Sequence, residues 1–405
     1  MHRWAELIPT ISGYYFVYFI LPAAGIGLAV IFIQVIRKGK KGQNVSHVMI
    51  AAEDGTGKVH ADNSYTQLVT SALTAGFGGS VGLEAPIVAA GAGLGSTVGG
   101  IFNFKNHQRV LLMACGAAAG ISAIFNSPVA GVFFAAEVVL FELSINVFIP
   151  LLISAAVAAV LSDMFHEGQL FLLVTTEWDL ATIPLYLLLG VFNGLLAVYV
   201  TRSVVFTEAI FERIRTTAGK WALGGLLLGA LIFLLPPLYG EGYSCIQELL
   251  NGNYQSLTRD IPFDAHRTEL WFLLLTGTVL VLLKSFAAAI TIGAGGNGGI
   301  FAPSLFIGAM AGFIFSKTIN LLTSIGVMES NFIVAGMAGT MAGIIQAPLT
   351  AIFLTAEITG GFALFIPLII VSTTGYLVAK YLAPESVYSR SLIEKGYERR
   401  KQING

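Results

Sequence analysis

Gly82-Leu83-Glu84-Ala85-Pro86 and Gly298-Gly299-Ile300-Phe301-Ala302-Pro303 decide how this sequence is read. Each lies in a long apolar block. Glu84 is the lone charge between Asn63 and Phe104, and no charge at all occurs between Ser285 and Ser316. Pro86 and Pro303 sit where a helix begins, since proline favours the first helical turn. Gly82 and Gly299 leave the preceding backbone open to close approach. A helix start offers free N–H groups and a partial positive charge, which together bind an anion. Glu84 competes for those same donors, and protonation releases it, so one residue serves as gate and proton carrier. The plainer alternative is a helix cap, or a carboxylate paired with a distant cation. For an ionisable residue at membrane depth, function is the default reading. The second cluster repeats the geometry without a carboxylate, with the N–H groups of Ile300 and Phe301 aimed at a ligand. It lacks GK[ST] and is no phosphate loop, although its glycines also suit close packing.

Working outward, the composition is that of a polytopic membrane protein. Charged residues make up 11% of the 405 and apolar residues 55%. Mean hydropathy is +0.79, and a soluble domain carries about 25% charged residues. A net charge of −1 excludes the basic excess of a nucleic-acid binder. Cys115 and Cys245 are far apart and form no thiolate motif, so no metal centre or disulfide scaffold is expected. The run Ser12 to Ile36 is long enough to span and too long for a signal peptide. The basic cluster Arg37-Lys38-Gly39-Lys40-Lys41 follows it, and Glu398-Arg399-Arg400-Lys401 lies near the end. By the positive-inside rule the 37–62 loop and the C-terminal tail are expected in the cytoplasm. Further spans are read at 180–202 and 221–238, with a polar loop over Asp260–Arg267.

Gly/Pro clusters cut the uncharged blocks into pieces expected to run about 10–17 residues, short of the ~20 needed to span. Broken helices at membrane depth survive only when buried or lining a water-filled cavity. The chain also repeats itself. Gly82-x-x-Ala85-Pro86 recurs 217 residues later as Gly299-x-x-Ala302-Pro303, and Gly91 and Gly95 recur as Gly308 and Gly312. Gly116 through Pro128 to Glu137 recurs 220 residues later as Gly336 through Pro348 to Glu357. Paired interrupted segments point to a transport site. The offset alone leaves parallel and inverted halves open.

These residues resemble the CLC family of chloride channels and chloride/proton antiporters. Gly82-Leu83-Glu84-Ala85-Pro86 keeps the Glu and Pro of one family signature, and Gly299-Ile300-Phe301-Ala302-Pro303 matches another in full. Gly116-Ala117-Ala118-Ala119-Gly120, Phe125-Asn126-Ser127-Pro128 and Gln346-Ala347-Pro348-Leu349-Thr350 are also similar to family sequence. The resemblance covers nearly the whole chain. It implies an all-α fold of two inverted repeats, about 12–200 and 221–392, in one membrane domain covering 1–405 without C-terminal soluble modules. It implies a homodimer in a bacterial inner membrane, each subunit with its own pore. Chloride ions are the expected bound species and no cofactor is expected. Glu84 falls on the gating glutamate. Backbone N–H groups of Leu83, Glu84 and Ala85 would line one anion site and those of Ile300 and Phe301 another. Tyr388 falls on the tyrosine that closes the central site; by itself it reads as an interfacial belt residue.

The departures bear on function. The first signature is degraded to Gly42-Gln43-Asn44-Val45-Ser46, with Gln43 at the anion-coordinating serine. Leu83 replaces Arg and Ala85 replaces Gly. Val138 stands at the internal proton glutamate, which leans toward weakly coupled or uncoupled conduction. The family's first helices have no counterpart before Ser12. Glu137 and Glu357 are read as structural glutamates bonded to backbone amides, with proton relay as the alternative. Lys284 either adds positive potential near the pore or snorkels to the interface. Fluoride, nitrate or a small carboxylate is the alternative cargo. An enzyme is not expected: Gly78-Gly79-Ser80-Val81-Gly82 fits a nucleophile pattern, but a serine needs a base. His2, His47, His60, His107, His166 and His266 all lie in or beside polar loops.

Overall fold

The computed structural model describes residues 16–39, 42–140, 144–165, 178–258, 261 and 269–389. The first residues of the Ser12 run, most of the Asp260–Arg267 loop, Lys40, Lys41, Glu142 and the basic tail lie outside the described residues. The described part is helical, and eight of its helical stretches are long and apolar enough to cross a membrane. The helices used below are α1 (Phe16–Ile31), α2 (Val45–Glu53), α3 (Asn63–Gly76), α4 (Glu84–Ile101), α5 (Asn106–Phe125) and α6 (Pro128–Phe134). They continue with α7 (Ile145–Phe165), α8 (Ile183–Glu212), α9 (Thr217–Leu234), α10 (Tyr243–Leu250) and α11 (Leu270–Gly293). The last are α12 (Phe301–Leu322), α13 (Glu329–Ile345), α14 (Pro348–Thr359) and α15 (Phe365–Leu382).

The expected 10–17-residue pieces are only partly found. α14 has 12 residues and α13 has 17, but α4, α5 and α12 have 18, 20 and 22. The chain becomes helical at Glu84 and Phe301, before the prolines, and a turn at Phe102–Lys105 separates two full helices at the boundary between two apolar blocks. Helix α6 is short, with 7 residues, and runs on as a π-helical segment Ala135–Leu140.

The repeats pack the same way. A Cβ added at Gly91 would lie 2.2 Å from the Gly116 carbonyl oxygen, and one at Gly95 would lie 2.0 Å from that of Leu112. In the second half, Gly308 stands 2.3 Å from the Gly336 carbonyl oxygen and Gly312 stands 2.1 Å from that of Phe332 by the same construction. Small residues let these backbones touch, so the α4–α5 crossing is duplicated as α12–α13.

The directions of the helices settle the symmetry. Arg37, at the end of α1, pairs with Asp62 at 2.5 Å. Val59, close by, donates its N–H to Ser96 Oγ near the end of α4 at 2.9 Å. Helix α4 therefore runs toward the basic-loop face. Helix α9 lies antiparallel to α1: Trp221 Nε1 donates to the Ala23 carbonyl, and Tyr18 meets Tyr239 edge-on at 5.4 Å. The linker after α9 is thus on the opposite face. That linker's Tyr254 hydroxyl donates to Glu329, which also pairs with Lys317 near the end of α12 at 2.6 Å. Equivalent helices α4 and α12 point to opposite faces, so the halves are inverted.

Candidate functional site

The two motifs meet at the centre. Gly82 N–H donates to the Gly299 carbonyl at 2.9 Å, and Gly299 N–H donates back to that of Gly82 at 2.8 Å. This antiparallel bridge joins equivalent residues of the two repeats. Its flanks mirror each other: Ser80 N–H donates to Thr291 Oγ1 at 3.3 Å, and Asn297 N–H donates to Thr74 Oγ1 at 3.0 Å. A Cβ at Gly82 would lie 2.9 Å from the Ala302 Cβ, and one at Gly299 would lie 2.6 Å from the Ala85 Cβ. The starts of α4 and α12 are therefore side by side, each presenting first-turn N–H groups without helical partners.

Glu84 is the first residue of α4 and is fully buried. Its Oε1 accepts a hydrogen bond from the Tyr243 hydroxyl. Its Oε2 lies over Gly82, where an added Cβ would stand 1.9 Å away, and has no hydrogen-bond partner among the described residues. The carboxylate sits in the field of its own N–H and that of Ala302, across the repeat boundary. A negative group thus occupies the place that two helix starts make favourable for an anion.

Around it stand the other residues singled out in the sequence. Leu83 caps α4 and Ile300 caps α12, both without a side-chain cap bond. Pro86 and Pro303 are the third residues of their helices. Phe301 is buried, its ring stacked on Phe125 at 5.7 Å, so its side chain serves packing. Tyr388 is buried and lies close enough to Glu84 to feel its charge.

Gln43 is linked to the second cluster through Gln67: its carbonyl accepts from Gln67 Nε2 at 2.8 Å, and Gln67 Oε1 accepts from Asn297 Nδ2 at 2.7 Å. The Gln43 backbone N–H donates to Asn63 Oδ1 at 2.6 Å, and its side-chain Oε1 accepts from His60 N–H at 3.0 Å. Nearby, Asn44 and Ser46 line a polar cavity of about 900 Å³ on the basic-loop face, together with Glu208, Lys220 and the 383–387 segment. The cavity ends at the residue before Tyr388.

Lys284 does not snorkel. It is fully buried on α11 and donates to the carbonyls of Leu238 at 3.3 Å and Gly240 at 2.8 Å. It also lies over the Phe306 ring at 5.0 Å. Its charge is spent on carbonyl dipoles and a ring face, which holds the linker 238–240 against the core. Glu137 accepts from the N–H groups of Leu349 and Thr350 at 3.0 and 2.8 Å. Glu357 accepts from those of Val129 and Ala130 at 3.2 and 2.9 Å. Each glutamate caps a helix of the other repeat, which is the structural role expected. Val138 beside Glu137 is buried and apolar.

Tyr243 was not singled out in the sequence. The available signal was a tyrosine following Gly240-Glu241-Gly242 in a Pro-Pro-containing linker between spans, but nothing local gives its contact with Glu84.

Residues 25–380 match the family described as voltage gated chloride channel. A putative chloride channel protein ClcB-like from Ralstonia nicotianae is 30% identical over 385 residues, covering 92% of this chain and 85% of that protein. The H(+)/Cl(-) exchange transporter ClcA of Vibrio cholerae is 30% identical over 328 residues, covering 78% of this chain and 66% of that protein. Among solved structures, a slow cyanobacterial Cl-/H+ antiporter superposes with a TM-score of 0.78 at 23% identity, over 98% of this chain and 91% of that one. A CLC-type fluoride/proton antiporter superposes with a TM-score of 0.73 at 21% identity, over 96% and 89%. With its repeats, its paired helix starts and this match over most of its length, the chain belongs to the voltage gated chloride channel family.

Proposed function

We propose that the chain moves chloride across the membrane along a path between the starts of α4 and α12, closed by the Glu84 carboxylate and opened when that carboxylate is protonated or displaced. The observation carrying this reading is the position of Glu84, lying in the field of the Ala302 N–H and of its own. The names of the relatives, a putative chloride channel protein and an H(+)/Cl(-) exchange transporter, support the same cargo. Backbone N–H groups of Leu83, Glu84, Ala85, Ile300 and Phe301, with the Tyr388 hydroxyl, form the anion path. The 900 Å³ cavity is its mouth on the basic-loop face, which the positive-inside rule places in the cytoplasm. The working unit is a homodimer in a bacterial inner membrane.

Val138 supplies no proton acceptor beside Glu137, so coupling to protons is weak or absent. Fluoride, as in the structural neighbour named for it, is the second reading for cargo, with nitrate and small carboxylates behind it. The test is chloride efflux from proteoliposomes with and without an imposed pH gradient. Chloride efflux with a reversal potential barely moved by the gradient is expected. No chloride efflux beside robust fluoride or carboxylate flux would replace the cargo.

A further inference from the structure

Glu241 takes no part in the path described above, yet its chain neighbours are fixed around the gate. Gly240 N–H donates to the Gly78 carbonyl at 3.1 Å, in the segment leading to Gly82. The Gly240 carbonyl accepts from Lys284 at 2.8 Å. Gly242 takes a left-handed φ of +97°, and a Cβ there would lie 2.7 Å from the Phe306 ring, so the chain turns where a side chain has no room. Directly after it, Tyr243 donates its hydroxyl to Glu84. The residue between these anchors is half-buried and makes no hydrogen bond or ion pair with the described residues. It lies on the face opposite the basic loop, because its linker follows the end of α9 that meets the start of α1.

We propose that Glu241 is the proton entry residue of the gate: it takes a proton from the solution on the face opposite the basic loop and passes it to the Glu84 carboxylate. The transfer is balanced. One O–H bond of the Glu241 carboxyl breaks, one forms on Glu84, and water on that face reprotonates Glu241. Glu84 leaves the helix starts once neutral, because the field that held it acts on its charge. The proposal rests on Glu84 being the gate.

Charges around Glu241 suit the role. It feels Glu84 on α4 and Lys284 on α11, and Tyr243 on α10 feels both carboxylates. Lys284 is also felt by Cys245, which feels Glu248 in turn. In this linker, outside the spans, burial first and the Glu84 charge second raise the proton affinity of Glu241, while Lys284 opposes them. A group so placed holds a proton nearer neutrality than an ordinary carboxyl. The Glu84 charge disfavours the charged form of Glu241.

The experiment measures chloride release by proteoliposomes against the pH on the Glu241 face, and how fast release rises after a jump to acid, for the wild type, Glu241→Gln, Glu241→Asp and Glu84→Gln. Glu241→Gln removes a negative charge near Glu84, so Glu84 binds its proton less tightly. Acid activation of chloride release should move to lower pH by about 1 unit, and the rise of release after a jump to acid should slow about tenfold. Maximal chloride release at low pH should stay near the wild-type rate. Glu241→Asp should restore both readouts, which a merely structural role would not do. A wild-type midpoint and a wild-type rate of rise in Glu241→Gln, with pH dependence lost in Glu84→Gln, overturns the proposal alone. Wild-type pH dependence in Glu84→Gln overturns the gate reading itself. If Glu241→Gln is not monodisperse in detergent, Glu241→Ser is measured the same way, and failure of both to fold makes the residue structural and ends the proposal.

Discussion

The starts of α4 and α12 have the same backbone and different first residues. Both follow a glycine of the central bridge, both carry proline at the third position, and both cross the next helix through two glycines. The first begins with Glu84, the second with Phe301. The fixed field is therefore built twice, while a charge that responds to protonation is placed once. Main-chain donors hold an anion whatever the side chain. Specialisation of the two halves then costs a single residue, without change to the frame.

The largest effect should come from breaking the frame. Gly91→Val and Gly308→Val each drive a branched side chain into a backbone carbonyl little more than 2 Å from the new Cβ. Each should destabilise by about 3 kcal/mol or more, read as loss of the monodisperse peak on size exclusion. A variant tolerated in one repeat only would show that the two crossings are not equivalent.

Next come the reciprocal caps. Glu137→Gln and Glu357→Gln each replace a carboxylate receiving two backbone N–H groups with an amide that accepts through one oxygen. Hydrogen bonds to charged groups are worth about 1.5–3 kcal/mol, and thermal melts should fall accordingly. Glu137 should cost more, because it also accepts from the Thr350 hydroxyl at 2.7 Å, a bond with no equivalent at Ala130. Equal losses would sharpen the symmetry beyond what the side chains show.

A smaller effect is expected at the second helix start. Phe301→Leu should leave chloride binding by calorimetry within about threefold, since the donors belong to the main chain. Gly299→Val should disrupt binding by pushing Ala85, in the other repeat, off its place. The reverse pattern would make the Phe301 ring the ligand. The smallest effect is at Gln43→Ser. With its side-chain oxygen held by His60 N–H, the ranking among chloride, nitrate and fluoride should not change. A changed ranking would mean that this loop reaches the anion.

The frame was legible in the sequence because a repeat leaves fixed offsets. Offsets of 217 and 220 predict which residues are equivalent, and those residues exchange the bridge and cap bonds across the halves. Glu84 was legible because a lone carboxylate in an uncharged block needs a reason. In the sequence, the sense of the symmetry comes from the family resemblance alone, since spacing is blind to whether two segments run the same way. The starts of α4 and α12 are two residues earlier than proline at the first helical position predicts. Lys284 is ambiguous in the sequence because its burial depends on which carbonyls the linker brings to it. Tyr243 and Glu241 were missed because their meaning comes from a partner more than 150 residues away in sequence.

The central claim is that Glu84 alone carries the movable charge between two fixed fields. Chloride efflux from proteoliposomes measured against pH, for the wild type and Glu84→Gln, tests it most directly. Efflux of the wild type should rise as pH falls, and that of Glu84→Gln should be independent of pH at the level the wild type reaches in acid. A Glu84→Gln variant whose efflux still rises with acid along the wild-type curve would contradict it.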